Sequence, residues 1–313
     1  MKGLQLLATG GALPGRVVTN EDLSRQVDTS DEWITTRTGI RQRYYCTESE
    51  DAATLAIAAA RQALARSGLA ASEIACCVAA TLSAPTATPS VACRVQAALG
   101  LPENRPAFDV NAACSGFIYA IAAAHGLLNT LGGRYALVIG CEALSRMVDP
   151  TDRTTCVLFG DGAGAAILEL AEDVPFAVTL GARGSEAIRV GGPAACDTAP
   201  ITMDGKAVFR FAVETMPRCL QTVLEHSQKT LADLDWVVCH QANVRILDAS
   251  IRRLGMPAEK FYRNLDRYAN TSAASIPLAL DEMRENGLLQ PGQKMILVGF
   301  GGGLTWAGVY MEV

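Results

Sequence analysis

Asp109-Val110-Asn111-Ala112-Ala113-Cys114-Ser115-Gly116-Phe117 reads as a strand that ends in a turn of small residues and opens a helix at a cysteine. The first amides of a helix lack partners within it and carry partial positive charge. A thiol placed there is therefore expected to favour the thiolate and to suit covalent acyl chemistry. Composition alone would make a cysteine flanked by apolar residues structural. The small neighbours Ala112, Ala113, Ser115 and Gly116 favour the reactive reading, because they leave room around the sulfur.

Upstream of this stretch, the pattern predicts a strand over Gly3 to Thr9, a short helix near Asn20 to Gln26, and a second helix after Ser30, whose hydroxyl can cap it. The alanine-rich run Asp51 to Ser67 predicts a helix, Ile74 to Ala80 a buried strand, and Pro89 to Leu99 another helix before the strand Ala107 to Val110. Downstream, a buried helix over Cys114 to Leu128 precedes a strand over Arg134 to Gly140. Thr155 to Phe159 and Gly164 to Leu170 read as two strands joined through Gly160-Asp161-Gly162. That link is expected to be a hairpin turn rather than a phosphate cradle, since no long helix follows it.

The plan then recurs. A helix over Lys206 to Ser227 leads to a strand at Trp236 to Cys239; Lys294 to Val298, Gly301-Gly302-Gly303 and Leu304 to Glu312 echo the earlier strand, glycine and strand order. The alternation predicts a layered α/β protein of two similar halves, residues 1–172 carrying the cysteine and 173–313, which share a core without a linker.

At 313 residues and 50% hydrophobic, the chain can bury a substantial core. Its 27 basic and 32 acidic residues are mixed along the sequence, so the net charge of -5 comes with no basic block for a general nucleic-acid surface. Of ten cysteines, Cys76, Cys77, Cys93, Cys141, Cys156 and Cys239 fall in apolar or small-residue runs without metal-ligand spacing. Buried reduced thiols in a cytosolic compartment, and no metal, are the expectation. The start of the chain lacks the long apolar stretch of a signal peptide or spanning helix, so export and membrane insertion are not expected.

Three histidines narrow the choice of proton-handling groups. His125 and His226 fall in helical stretches and read as packing or surface residues. His240 follows the apolar strand Trp236-Val237-Val238-Cys239, a position where a rigid scaffold can aim a side chain into a pocket; a turn histidine that satisfies nearby backbone is the alternative. Asn270, in Tyr268-Ala269-Asn270-Thr271-Ser272-Ala273-Ala274-Ser275, is either a helix cap or an amide donor paired with His240. Two neutral donors aimed at one oxygen can hold an enolate. Gly299-Phe300-Gly301-Gly302-Gly303 suits a sharp turn, and it also allows a backbone amide to approach a substrate oxygen beside the Cys114 amide.

With these segments in order, the chain resembles the 3-oxoacyl-[acyl-carrier-protein] synthase III family of thiolase-fold condensing enzymes. The resemblance spans almost the whole sequence: Asp28-Thr29-Ser30-Asp31-Glu32-Trp33-Ile34 with Arg37-Thr38-Gly39-Ile40-Arg41, the Cys114 motif, Asp149-Pro150-Thr151-Asp152-Arg153, Phe159-Gly160-Asp161-Gly162-Ala163-Gly164, His240-Gln241-Ala242-Asn243, Asn270-Thr271-Ser272, and Phe300-Gly301-Gly302-Gly303. It implies a five-layer αβαβα thiolase-like protomer that forms a homodimer, with Cys114, His240 and Asn270 as catalytic residues and the Cys114 and Gly302 amides as oxyanion donors. It further implies decarboxylative condensation of an acyl-CoA starter with malonyl-acyl-carrier protein through an acyl-Cys114 intermediate, with no tightly bound cofactor.

The same resemblance assigns Trp33 and Arg153 to the adenine of coenzyme A and Arg37 to its phosphate-bearing part. Arg210 and Arg245, extended by Arg252 and Arg253, correspond to a basic surface for an acidic carrier protein. Thr88 matches a dimer-contact position that is a bulky phenylalanine in some acetyl-selective members, which implies a roomier acyl pocket and a longer starter. A degradative thiolase would carry a second active cysteine in the C-terminal glycine motif, where this chain has Leu304-Thr305. A secondary-metabolite ketosynthase or acyltransferase with another acceptor, and a noncatalytic acyl- or carrier-binding subunit, are the remaining alternatives.

Overall fold

The computed structural model describes residues 2–192 and 199–313. Local sequence explains where its elements begin and end. Helix Ala52–Ser67 starts where Asp51 accepts the Thr54 amide and stops at Gly68, whose φ of 70° is a conformation that costs glycine little. Its inner face is nearly all alanine, and strand Lys2–Ala12 carries Gly10 beneath it; a Cβ at Gly10 would stand 2.2 Å from the Ala59 carbonyl. Small residues on both elements thus let helix and sheet lie almost backbone to backbone.

Nine strands form one continuous hydrogen-bonded sheet with two leaves. In the first, Ile74–Ala80 pairs in parallel with Ala107–Val110 and Tyr135–Ala143, followed by antiparallel Asp161–Pro175 and Lys2–Ala12. In the second, Trp236–Cys239 pairs in parallel with Lys294–Gly301, followed by antiparallel Gly303–Glu312 and Val178–Ser185. The leaves meet where Gln5 pairs with Glu312.

Helices Gly116–Leu131 and Ser275–Glu285 lie between the leaves, touching strands of both. Ile118, Ile121, Ile276 and Leu280 share one buried cluster there with Val78 and Val138 of the first leaf and Leu297 and Val309 of the second. Helices Ala52–Ser67 and Val91–Leu99 cover the outside of the first leaf, and Gly205–Ser227 with Val244–Leu254 cover the second. The five-layer α/β arrangement expected from the sequence is therefore present. The helical run Ala113–Leu131 is long and apolar enough to cross a membrane by length and composition, but its Phe117, Ile118, Ile121 and Leu128 are buried between the leaves.

One expected element is corrected. Thr155 to Phe159 is not a strand, and Gly160-Asp161-Gly162 does not turn a hairpin. Residues around 155 form turns, Phe159 makes an isolated bridge to Asn270, and a single strand starts at Asp161. The glycines serve close packing: a Cβ at Gly160 would come 2.8 Å from the Tyr268 carbonyl, and one at Gly164 would come 2.6 Å from the Leu278 amide. The helix predicted from Pro89 begins at Val91, after the cap Ser90.

Candidate active site

Cys114 sits in a one-turn 3-10 segment, Ala113–Ser115, between the end of strand Ala107–Val110 and helix Gly116–Leu131. Ala113 has φ 46°, a left-handed conformation that costs a residue with a Cβ roughly 1–2 kcal/mol. Neighbouring groups hold it there. Asn111 Oδ1 accepts the Ala113 amide at 3.1 Å, while the Thr305 hydroxyl donates to the Ala112 carbonyl at 2.9 Å and accepts from Ser115 at 2.7 Å. The glycine turn then closes over the sulfur. A Cβ at Gly301 would lie 2.7 Å from Cys114 Cβ and 3.1 Å from Sγ, so only glycine lets that backbone rest against the thiol.

The expectation of a resting thiolate is not met. Cys114 keeps some surface open to a cavity, but protein encloses it, and burial pushes its thiol up to about 12. The Ser272 hydroxyl pulls the other way and the Glu142 carboxylate adds to the rise. The regular helix starts at Gly116, two residues beyond the sulfur, so the thiol rests protonated.

His240 follows strand Trp236–Cys239, its amide donating to the Val298 carbonyl at 2.8 Å. Its ring stands edge-on to Phe300, with centroids 5.4 Å apart, and Nδ1 is buried without a partner among the described residues. Burial lowers the ring to about 3, so it is neutral at physiological pH. Asn270 is fixed from both sides of its own backbone, donating to Leu158 and accepting from Gly160 at 3.0 Å each. Its side-chain Oδ1 accepts the Ser272 amide at 2.9 Å, which leaves Nδ2 as the outward donor. Ser272, at φ 48°, opens the 3-10 turn into helix Ser275–Glu285, as Ala113 opens the turn into helix Gly116–Leu131. Cys114 thus lies on, and Asn270 just before, turns of the same kind.

Cys114, His240, Asn270 and Gly302 line one cavity of about 180 Å³. Its remaining wall is mostly apolar, with Leu82, Leu144, Ile188, Ile201, Met203 and Phe209 among its members. Such a lining suits an acyl chain, with a few polar groups to orient its thioester.

Trp33, Arg37 and Arg153 assemble on the surface: the two guanidiniums lie 5.3 and 5.5 Å from the Trp33 ring centroid. Arg153 also donates to the Asp28 carbonyl at 2.9 Å. Asn243 connects this group to the cavity it lines, donating to the Arg37 carbonyl at 3.1 Å while capping helix Val244–Leu254. Arg245 is exposed, 5.9 Å from the ring of cavity residue Phe209; Arg210, Arg252 and Arg253 are exposed as well. Thr88 is exposed and does not line the cavity. His125 stacks on Phe176 and His226 meets the Val178 carbonyl, both away from the site. The nine cysteines among the described residues are unpaired.

Sequence reasoning missed Glu142, which is fully buried behind Cys114. Its Oε2 accepts from the Ser83 hydroxyl at 2.5 Å, the Leu82 amide at 3.2 Å and the Thr81 hydroxyl at 3.3 Å. The available signal was a lone acid in the apolar strand Tyr135–Ala143. Gly301 was read as turn material, and its contact with the sulfur emerges only in three dimensions.

Residues 108–184 match the family model for 3-oxoacyl-[acyl-carrier-protein (ACP)] synthase III, and residues 224–313 match its C-terminal model. A beta-ketoacyl-[acyl-carrier-protein] synthase III of Rhizorhabdus wittichii is 46% identical, covering 98% of both chains. The crystal structure of 3-oxoacyl-[acyl-carrier-protein] synthase III from Aquifex aeolicus VF5 is 42% identical, with a TM-score of 0.93 over 99% of this chain and 100% of that one. The priming beta-ketosynthase of the R1128 polyketide pathway is 33% identical, with a TM-score of 0.93 over 100% of this chain and 96% of that one. Together with the cysteine, histidine and asparagine gathered around one apolar cavity, these matches show that the chain belongs to the 3-oxoacyl-[acyl-carrier-protein] synthase III family.

Proposed function

We propose that this ketosynthase condenses an acyl-CoA starter with malonyl-acyl-carrier protein, through an acyl-Cys114 intermediate, to begin fatty acid biosynthesis. The shared lining of one mostly apolar cavity by Cys114, neutral His240 and Asn270 carries this reading. Cys114 Sγ attacks the thioester carbon while the amides of Cys114 and Gly302 receive the developing oxyanion, and coenzyme A leaves. Malonyl-acyl-carrier protein then loses carbon dioxide. The resulting enolate oxygen accepts from His240 and Asn270, and its carbon attacks the acyl group on Cys114 to release 3-oxoacyl-acyl-carrier protein.

A neutral imidazole suits this work, because its single ring N–H can hold the enolate oxygen as a hydrogen-bond donor without handing over a proton. The exchange is redox-neutral and uses coenzyme A as part of a substrate rather than as a resident cofactor. Trp33 and Arg153 would hold the adenine and Arg37 the phosphates, at the surface joined to the cavity by Asn243. Arg210, Arg245, Arg252 and Arg253 would receive an acidic carrier protein by charge complementarity. A homodimer in the cytoplasm completes the reading, with Thr88 placed toward the partner, where a small side chain leaves room for a starter longer than acetyl.

Incubation with short, branched and medium acyl-CoAs, followed by intact-protein mass measurement, should show a single acyl adduct that maps to Cys114. Malonyl-acyl-carrier protein should discharge it with release of carbon dioxide. No adduct with any donor would refute the covalent mechanism; an adduct that malonyl-acyl-carrier protein leaves in place would assign the acyl group to another acceptor.

A further inference from the structure

Behind the nucleophile lie two buried oxygens whose pairing is unfinished. Glu142 Oε1 and Ser272 Oγ are both shut off from solvent and neither has a hydrogen-bond partner among the described residues, although the other carboxylate oxygen of Glu142 carries three donors. Tying down the 81–83 loop uses Oε2 alone. The Ser272–Ala274 turn packs against both strand Tyr135–Ala143, which carries Glu142, and the Ala113–Ser115 turn, which carries Cys114, and the Ser272 hydroxyl stabilises the anionic form of each. A buried carboxylate oxygen and a buried hydroxyl left open beside a nucleophile are costly as structure alone.

We propose that Ser272 and Glu142 form a proton relay for Cys114: as the sulfur attacks the thioester, its proton passes to Ser272 Oγ, whose own proton passes to Glu142 Oε1. The inference rests on the acyl-Cys114 reading. During acylation the S–H bond breaks, the sulfur–carbon bond forms, coenzyme A departs as a thiolate that takes a proton from water, and Glu142 becomes neutral. When condensation breaks the acyl–sulfur bond, Cys114 leaves as thiolate and the stored proton returns through Ser272. Glu142 touches no substrate and is a positioning residue that acts through Ser272.

The carboxyl is suited to storage. Burial raises it from 4.5 to about 7, partly offset by Ser83, the Leu82 amide, Ser272 and Thr81, so it can take up and release a proton near neutrality. The titratable groups around it do not compete. Cys114 is the donor; Cys141, the strand neighbour of Glu142, is held protonated by burial and by Glu142 and Asp109; and His240, in the cavity lining, is neutral. Ser272 is the polar side chain that the turn before helix Ser275–Glu285 brings toward this acid.

The test is the pH dependence of Cys114 alkylation by iodoacetamide, read by peptide mass, which needs no acyl donor. In the unmodified protein the rate should rise through about pH 7 as Glu142 becomes able to accept the proton. Glu142→Gln keeps an oxygen for the 81–83 loop but should lose this limb and react about 10²-fold more slowly above pH 7. Ser272→Ala should lose the same limb, the double variant should lose no more than either single one, and Glu142→Asp should restore the limb. A limb near pH 7 that persists in Glu142→Gln overturns the proposal. So does a limb lost in Glu142→Gln but retained in Ser272→Ala, which would mean that Glu142 acts without the hydroxyl. If the limb behaves as expected but no acyl-CoA loads, the relay stands and the acyl-transfer reading fails.

Discussion

Replacing Gly301 by alanine tests the active-site geometry most directly, because the new methyl would meet the nucleophile itself. Its Cβ would stand 2.7 Å from Cys114 Cβ, 2.9 Å from the Cys114 amide nitrogen and 3.1 Å from Sγ. Carbon atoms pack at about 3.5–4.0 Å, so the turn or the cysteine must retreat by roughly 1 Å. Overpacking of this kind costs about 1–3 kcal/mol of stability. A misplacement of about 1 Å at a reacting atom costs on the order of 10²-fold in rate. Acyl-enzyme formation, followed over time by intact mass at saturating acyl-CoA, should therefore slow about 10²-fold, with a lowered melting temperature. Gly302→Ala is the internal comparison: its Cβ would meet Ala113 and Ile188 at 3.5–3.7 Å, ordinary contact, and its backbone amide is retained. That variant should load within a few-fold of the parent. If Gly301→Ala loads at the parental rate with an unchanged melting temperature, the glycine turn does not rest on the sulfur and the assigned oxyanion geometry is wrong.

Asn270→Ala should leave loading nearly intact while slowing condensation by about 10²–10³-fold, the usual cost of one oxyanion donor; equal losses in both half-reactions would break the division of labour. Replacing Arg252 and Arg253 together by glutamate should raise the KM for the carrier-protein substrate, most at low salt, without slowing acylation by acyl-CoA. Two residues of the site contribute to the pH dependence of stability with opposite sign. His240 has a folded value of about 3 against 6.5, so the unfolded chain binds the proton first and stability falls as pH drops from about 6.5 toward 3. Glu142 is raised to about 7 from 4.5, so its contribution is complete below 4.5 and is lost as pH rises through 7. Between 4.5 and 6.5 the two nearly cancel. His240→Gln should therefore gain on the parent by up to about 1.4 kcal/mol per pH unit below 6.5, measured by urea unfolding, and a pH-independent difference would show that the ring is not held neutral.

The layered α/β class, most of the long helices and buried strands, and the chemical types at the site were legible in the sequence, whereas strand Val178–Ser185 was not read and Thr155 to Phe159 was misread as one. Buried strands such as Ile74–Ala80 and the alanine-faced helix Ala52–Ser67 announce themselves through local pattern, because period and capping are properties of neighbouring residues. Cys114, His240 and Asn270 were legible because each follows a strand or opens a helix in an otherwise apolar or small-residue setting.

What those residues experience is set by packing between distant segments. Gly160, Gly164 and Gly301 look alike in sequence as turn formers. Two of them admit the 268–278 segment and the third admits a sulfur, which depends on partners more than a hundred residues away. The charge states of the site are likewise collective: a thiol expected to ionise at a helix entrance is held protonated, and a histidine is held neutral, because enclosure by two leaves removes water from both. Glu142 was invisible for the same reason. Its strand identifies it as a buried acid, while its standing beside the nucleophile and Ser272 comes from strand Tyr135–Ala143 and the Ser272–Ala274 turn packing together.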